Sequence, residues 1–149
     1  MNYRGKTIEM LEEYDSLKAS IENMTREIKE IEQEEATISG IDYNKEKITT
    51  SQNTGSSTEN EALKKIAKVE RLQKKIEITD SKIKRINTAL EVLDETDRTI
   101  LENLYIKARP YFAFTHKVFM SERQCRTRKN RALTKVMKSI FGDDDVRGM

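Results

Sequence analysis

Tryptophan is missing from this chain, cysteine and proline occur once each, and glycine only five times. One cysteine, Cys125, can form no disulfide within the chain, which excludes a disulfide-stapled scaffold and fits a reducing compartment. Proline and glycine are the usual breakers of helices, so their scarcity leaves long helices uninterrupted. Aromatic residues are 6% of the chain, a poor supply for a large compact core. No stretch approaches the ~20 consecutive apolar residues of a membrane helix. The opening MNYRGKTIEMLEEYD also lacks the apolar run of a signal peptide. A cytoplasmic protein with no membrane association is expected.

What is present is charge. Charged and hydrophobic residues each make up 36% of the 149 residues, a balance suited to long solvated helices. The net charge of +2 hides an asymmetry along the chain. Residues 1–38 carry ten acids and five bases, and residues 39–60 carry three acids and two bases. Residues 61–93 carry five acids and nine bases, and residues 94–149 carry eight acids and twelve bases. An acidic first third and a basic second half point to two tasks, or to two segments that pair.

From Met10 the apolar residues recur at alternating spacings of four and three. They are Met10, Tyr14, Leu17, Ile21, Met24, Ile28, Ile31 and Ile38, with Glu35 the one polar member. A second seam runs through Ala62, Ile66, Val69, Leu72, Ile76, Thr79, Ile83, Ile86, Leu90 and Leu93. Such heptads predict a coiled coil. Between the seams, SGIDYNKEKITTSQNTGSST (39–58) is rich in Ser, Thr, Asn and Gly and reads as a long mobile loop. The acidic first helix and basic second helix suit antiparallel pairing into a hairpin.

After Leu93 the heptads stop. DETDRTILENLYIKA predicts a helix with Thr96 or Asp97 as its N-cap, ending before Pro110. YFAFTHKVF follows, a short helix with Tyr111, Phe114 and Val118 on one face. Ser121 with Gln124 three residues on is a capping box that starts another helix. Its apolar stripe is Cys125, Ala132, Leu133, Val136, Met137 and Ile140. Its other face is expected to present Arg123, Gln124, Arg126, Thr127, Asn130, Arg131 and Thr134. From Ser121 to Lys138 there are seven bases and one acid.

Arg, Gln and Asn are the side chains that bond guanine and adenine edges bidentately in the major groove. Arg123, Gln124, Arg126, Thr127 and Asn130 are therefore the expected DNA-contacting residues of the first turns. Arg131, Lys135 and Lys138, farther along, are expected to neutralise phosphates.

No GxxxxGK[ST] loop, GxSxG elbow or CxxC pair occurs. His116 stands without a neighbouring Cys or His, and Cys125 lies on the inner stripe, so neither suggests catalysis or a metal. No enzyme, cofactor or metal site is expected.

Residues 105–136, YIKARPYFAFTHKVFMSERQCRTRKNRALTKV, resemble region 4 of sigma-70-type factors and the phage regulators that share its helix-turn-helix. Those regulators are the late-gene transcription activators of the RinA, ArpU and LtrC type, found in phages of Gram-positive bacteria. The resemblance is carried by Arg98, Ile100, Leu101, Tyr105, Tyr111, Phe114, Val118, Ser121, Cys125 and the run Arg131-Ala132-Leu133. A Gly-Ile-x-Tyr element at Gly40–Tyr43 before the Ser/Thr-rich loop adds to it. Three positions depart from the pattern. Phe119 replaces the usual turn glycine, Thr115 the usual small residue, and Arg128 the second apolar residue of the recognition helix. A phenylalanine takes positive φ only at a cost, and Arg128 needs a partner if buried.

The resemblance implies an all-α chain in which a long antiparallel coiled-coil hairpin (1–93) precedes a helix-turn-helix domain (94–142) and a tail (143–149). It implies a cytoplasmic activator of late genes in a bacterial host cell, bound to double-stranded DNA. RNA polymerase or another protein is an expected partner of the acidic hairpin, and association with further copies is plausible from its narrow seams. Two other readings stand beside it: a DNA-binding ring like a terminase small subunit, and a coiled-coil adaptor. A fragment from about Asp94 onward is expected to fold and bind DNA by itself, though more weakly, since any avidity from association is lost.

Overall fold

The structure, a computed structural model, describes residues 1–45 and 53–143, with side chains at 1–35 and 59–143. Among these residues every regular element is helical. The chain is all-α. Helix α1 spans Tyr3–Lys45 and α2 spans Asn53–Glu91. Helix α3 (Glu95–Leu101) runs on as a π-helical turn, Glu102–Ile106. A 3₁₀ turn (Tyr111–Ala113), a short α4 (Thr115–Val118) and α5 (Glu122–Phe141) complete the order.

The expected loop at 39–58 is shorter than its composition suggested. Residues 39–45 continue α1, and residues 53–58 begin α2. Ser, Thr and Asn each cost below ~1 kcal/mol in a helix, and extending a helix is far cheaper than nucleating one. The rest of that expectation, residues 46–52, lies outside the described residues, as do residues 144–149 of the tail.

The chain forms two compact units: Met1–Lys18 with Ser81–Met149, and Ala19–Asp80. This division differs from a boundary at residue 93. The reason is a single core cluster of Leu11, Ile86, Ala89, Leu90, Leu93, Leu101, Ala132, Leu133 and Val136. It joins the start of α1 and the end of α2 to α3 and α5. Tyr14 Oη donates to Asn87 Oδ1 at 2.6 Å across the same helix pair. Among the described side chains of α1 the fully buried ones are Thr7 and Leu11, neither in the heptad seam. Met10, Tyr14 and Leu17 pack partly buried against the cluster. Neighbours on several sides widen the covered face beyond the narrow stripe that a two-helix seam predicts. Thr7 satisfies its hydroxyl by donating to the Tyr3 carbonyl at 2.8 Å.

In the unit Ala19–Asp80, Glu27 pairs with Lys68 at 2.9 Å and Glu34 with Lys65 at 3.8 Å. The rising and falling numbers make the two helices antiparallel there. Ile31 and Leu72 are buried, while Ile21, Met24, Ile28, Val69 and Ile76 are half-covered. Leu63 and Ile78, outside the seam, are exposed because one helix covers only one side of its neighbour; Ile66, expected within the seam, is exposed as well.

Candidate nucleic-acid interface

Asp94, ahead of the expected Thr96 or Asp97, caps α3. Its Oδ1 accepts from the Asp97 amide at 2.8 Å. The predicted continuous helix to Pro110 changes character at Leu101, where the π-helical turn begins, and Ala108 adopts a positive φ of 50°. Asn103, buried in that turn, donates to the Thr99 carbonyl at 2.7 Å and accepts from Arg109 at 3.1 Å. YFAFTHKVF is likewise not one helix. Phe114, with φ −133°, separates the 3₁₀ turn from α4 because its ring is fully buried with Ile100 and Cys125.

Phe119 ends α4 in the left-handed region, φ 55° and ψ 41°, and Ser121 then caps α5. The turn therefore keeps the conformation that glycine favours. Phe119 is 92% exposed, so contacts of its own side chain do not offset the strain. The left-handed region costs a residue with a Cβ roughly 1–2 kcal/mol, and glycine loses about 0.5–1 kcal/mol in chain entropy. Phe119→Gly is thus expected to raise stability by up to about 1 kcal/mol and the melting temperature by a few degrees. Phe119→Val should lower it. Equal melting temperatures for the two variants would contradict a left-handed turn.

At Ser121 the capping box is complete. Its Oγ accepts from the Gln124 amide at 3.2 Å, and its amide donates to Gln124 Oε1 at 3.0 Å. Inward from the cap, Cys125, Ala132, Leu133, Val136 and Met137 are buried. Burial pushes the Cys125 thiol up, with nearby Arg128 opposing. That leaves the thiol protonated and unsuited to nucleophilic work.

The eight predicted DNA-contacting residues Arg123, Gln124, Arg126, Thr127, Asn130, Arg131, Lys135 and Lys138 are all exposed. They do not form one equivalent row. At ~100° per residue, Arg123 and Thr127 lie most nearly opposite Cys125, with Arg126 and Asn130 on one flank and Gln124, Arg131 and Lys135 on the other. Arg126 Nη2 bonds Glu122 Oε1 at 2.7 Å, and its guanidinium lies 5.0 Å from the Tyr111 ring centroid. Asn130 Oδ1 accepts from Arg4 Nη2 at 2.6 Å. Gln124 has its amide oxygen in the capping box. Arg123, Arg131 and Lys135 have no side-chain partner among the described residues, and Lys138 pairs with Asp143 at 3.3 Å. The Thr127 hydroxyl donates to the Arg123 carbonyl at 3.2 Å. Met120, Arg123, Gln124, Thr127, Arg128 and Arg131 line an open hollow of about 340 Å³.

Arg128 finds its partner in α3. Its Nη1 is 3.7 Å from Asp97 Oδ1, an ion pair too long for a hydrogen bond. The Asp97 side chain is only 9% exposed, and that oxygen accepts no hydrogen bond among the described residues. The pair thus lets a cation occupy the position that the resembling pattern gives to an apolar residue. Asp97, Tyr111 and Arg4 escaped the sequence reading as contributors to this surface. Their positions depend on tertiary contact, and only the Arg4/Lys6 pair ahead of an acidic stretch hinted at it.

Compared with known protein families, curated proteins and solved structures, the chain matches none. Among the described residues no helix is long and apolar enough to cross a membrane.

Proposed function

We propose that the chain is a DNA-binding transcription regulator, an activator of phage type, in which α4, the turn at Phe119–Ser121 and α5 form a helix-turn-helix. In this reading α5 enters the major groove of double-stranded DNA and catalyses nothing. The observation that supports it best is the exposed side of α5. Arg123 and Arg131 flank Thr127 beside an open hollow, while the opposite stripe is buried in the core. A solvated basic helix anchored by its other face suits a groove lined by phosphates. Arg123 is the best placed of the predicted base readers, since Gln124, Arg126 and Asn130 are already engaged. Lys135 and Lys138 would meet the backbone.

Fluorescence anisotropy with short duplexes across a salt series tests the reading. Micromolar or tighter binding that weakens steeply with salt is expected. Lys135→Ala should reduce the slope of log affinity against log salt by roughly one unit on every sequence. Absence of binding even at low salt would leave the adaptor reading in its place.

The exposed Leu63, Ile66 and Ile78 of the unit Ala19–Asp80 favour a protein contact there. RNA polymerase is the partner we assign to it, as the resemblance implies. Light scattering separates this from a ring of the terminase small-subunit kind, which requires many copies.

A further inference from the structure

We propose that Arg128 is a further phosphate contact of the same interface, held at the hollow of α5 by the buried carboxylate of Asp97. The inference rests on the DNA-binding reading above. Three arginines, Arg123, Arg128 and Arg131, line that hollow with Met120, Gln124 and Thr127, and no carboxylate among the described residues lines it. At ~100° per residue Arg128 stands between Cys125 and Arg131 around the helix. It thus marks the edge where the buried stripe gives way to the face proposed to enter the groove. Its side chain is 33% exposed, and among the described residues the 3.7 Å ion pair with Asp97 is that side chain's one polar contact. The distance is too long for a hydrogen bond, so the N–H donors of the guanidinium stay available to an incoming acceptor. Asp97 sits on α3 with its side chain 9% exposed, and its Oδ1 accepts no hydrogen bond among the described residues. A fixed anion so placed draws the guanidinium toward α3 without occupying its donors. The planar fork of an arginine matches two oxygens of a phosphate. A hollow lined by charge of one sign concentrates counter-ions, and beside α5 that anion is a phosphate of the DNA backbone.

The experiment uses the full chain and a random-sequence duplex, read by anisotropy across salt concentrations. Removing Arg128 alone would leave Asp97 buried without a partner, so both are changed together. The double variant Arg128→Met/Asp97→Asn leaves the net charge as it is, and a fall in slope then reports a lost contact. It should lower the salt slope by roughly one unit and weaken binding on all duplexes alike. Asp97→Asn alone keeps the arginine's charge and should keep the slope. A fall as large as the double variant's would trace the effect to a strut between α3 and α5, and the contact is overturned. Arg131→Gln serves as the reference on α5. If it lowers the slope while the double variant matches the native chain, the contact is overturned and the α5 interface stands. Circular dichroism melts check that each variant folds. Should the double variant not fold, the native chain still decides by nuclear magnetic resonance. The Nε–Hε signal of Arg128, identified by its loss in Arg128→Lys, should shift when the duplex is added. A signal that stays in place while those of Arg123 and Arg131 move overturns the contact. A native chain that binds no duplex at any salt removes the DNA-binding reading and this contact with it.

Discussion

A fragment beginning at Asp94 is expected to be unfolded at room temperature, with little helical signal in far-ultraviolet circular dichroism and no cooperative melt. The expectation reverses what the sequence suggested, and the core explains why. Of the nine residues in the main cluster, the truncation deletes Leu11, Ile86, Ala89, Leu90 and Leu93. Four of these are large, and burying each contributes about 1.5–3 kcal/mol. The loss is therefore on the order of 6–12 kcal/mol, comparable with the whole ~5–15 kcal/mol stability of a domain. It also strips cover from Leu101, Leu133 and Val136, which would face water. Arg98 loses acceptors too, since its Nε and Nη2 donate to the carbonyls of Leu90 and Leu93 at 3.2 and 3.4 Å. The second cluster, Ile100, Phe114 and Cys125, is too small to hold three short elements together. A fragment that melts cooperatively as a monomer would show that α3, α4 and α5 need neither long helix.

That reversal marks where sequence reasoning stops. The capping box at Ser121 and the buried stripe of α5 were visible because each is local, set by spacings of three and four residues. The left-handed turn was half-visible. Its position followed from the helices on either side, and its survival with phenylalanine shows that the surrounding packing outweighs about 1–2 kcal/mol of local strain. Leu11 was hidden, because its burial depends on elements about eighty residues or more away. The same holds for Arg128, which reads as a defect in a recognition helix until Asp97 is found 3.7 Å away. The π-helical turn at Glu102–Ile106 had no visible signal, since a π-helix differs from an α-helix by one inserted residue. On the candidate interface, composition found every exposed base of α5, but only contacts distinguish an engaged Arg126 from an unengaged Arg123.

That distinction carries the second large effect. The double variant Arg123→Ala/Arg131→Ala is expected to lose DNA affinity on the order of a hundredfold or more. A base-reading arginine such as Arg123 contributes about 1–3 kcal/mol. Loss of Arg131 removes a phosphate contact on every sequence, and two separated contacts add approximately. Both side chains are exposed and have no side-chain partner among the described residues, so their removal should leave the melting temperature unchanged. Arg126→Ala provides the contrast. It frees Glu122 and uncovers Tyr111, so any loss of affinity there mixes a lost contact with a rearranged surface. Binding curves on the best and on scrambled duplexes separate the two roles of Arg123. A loss confined to the preferred sequence marks a base reader, and an equal loss on both marks a phosphate contact. Native-like affinity in the double variant, on every duplex, would take α5 out of the groove altogether. The basic face would then have to serve an acidic protein partner, which the same variant should release.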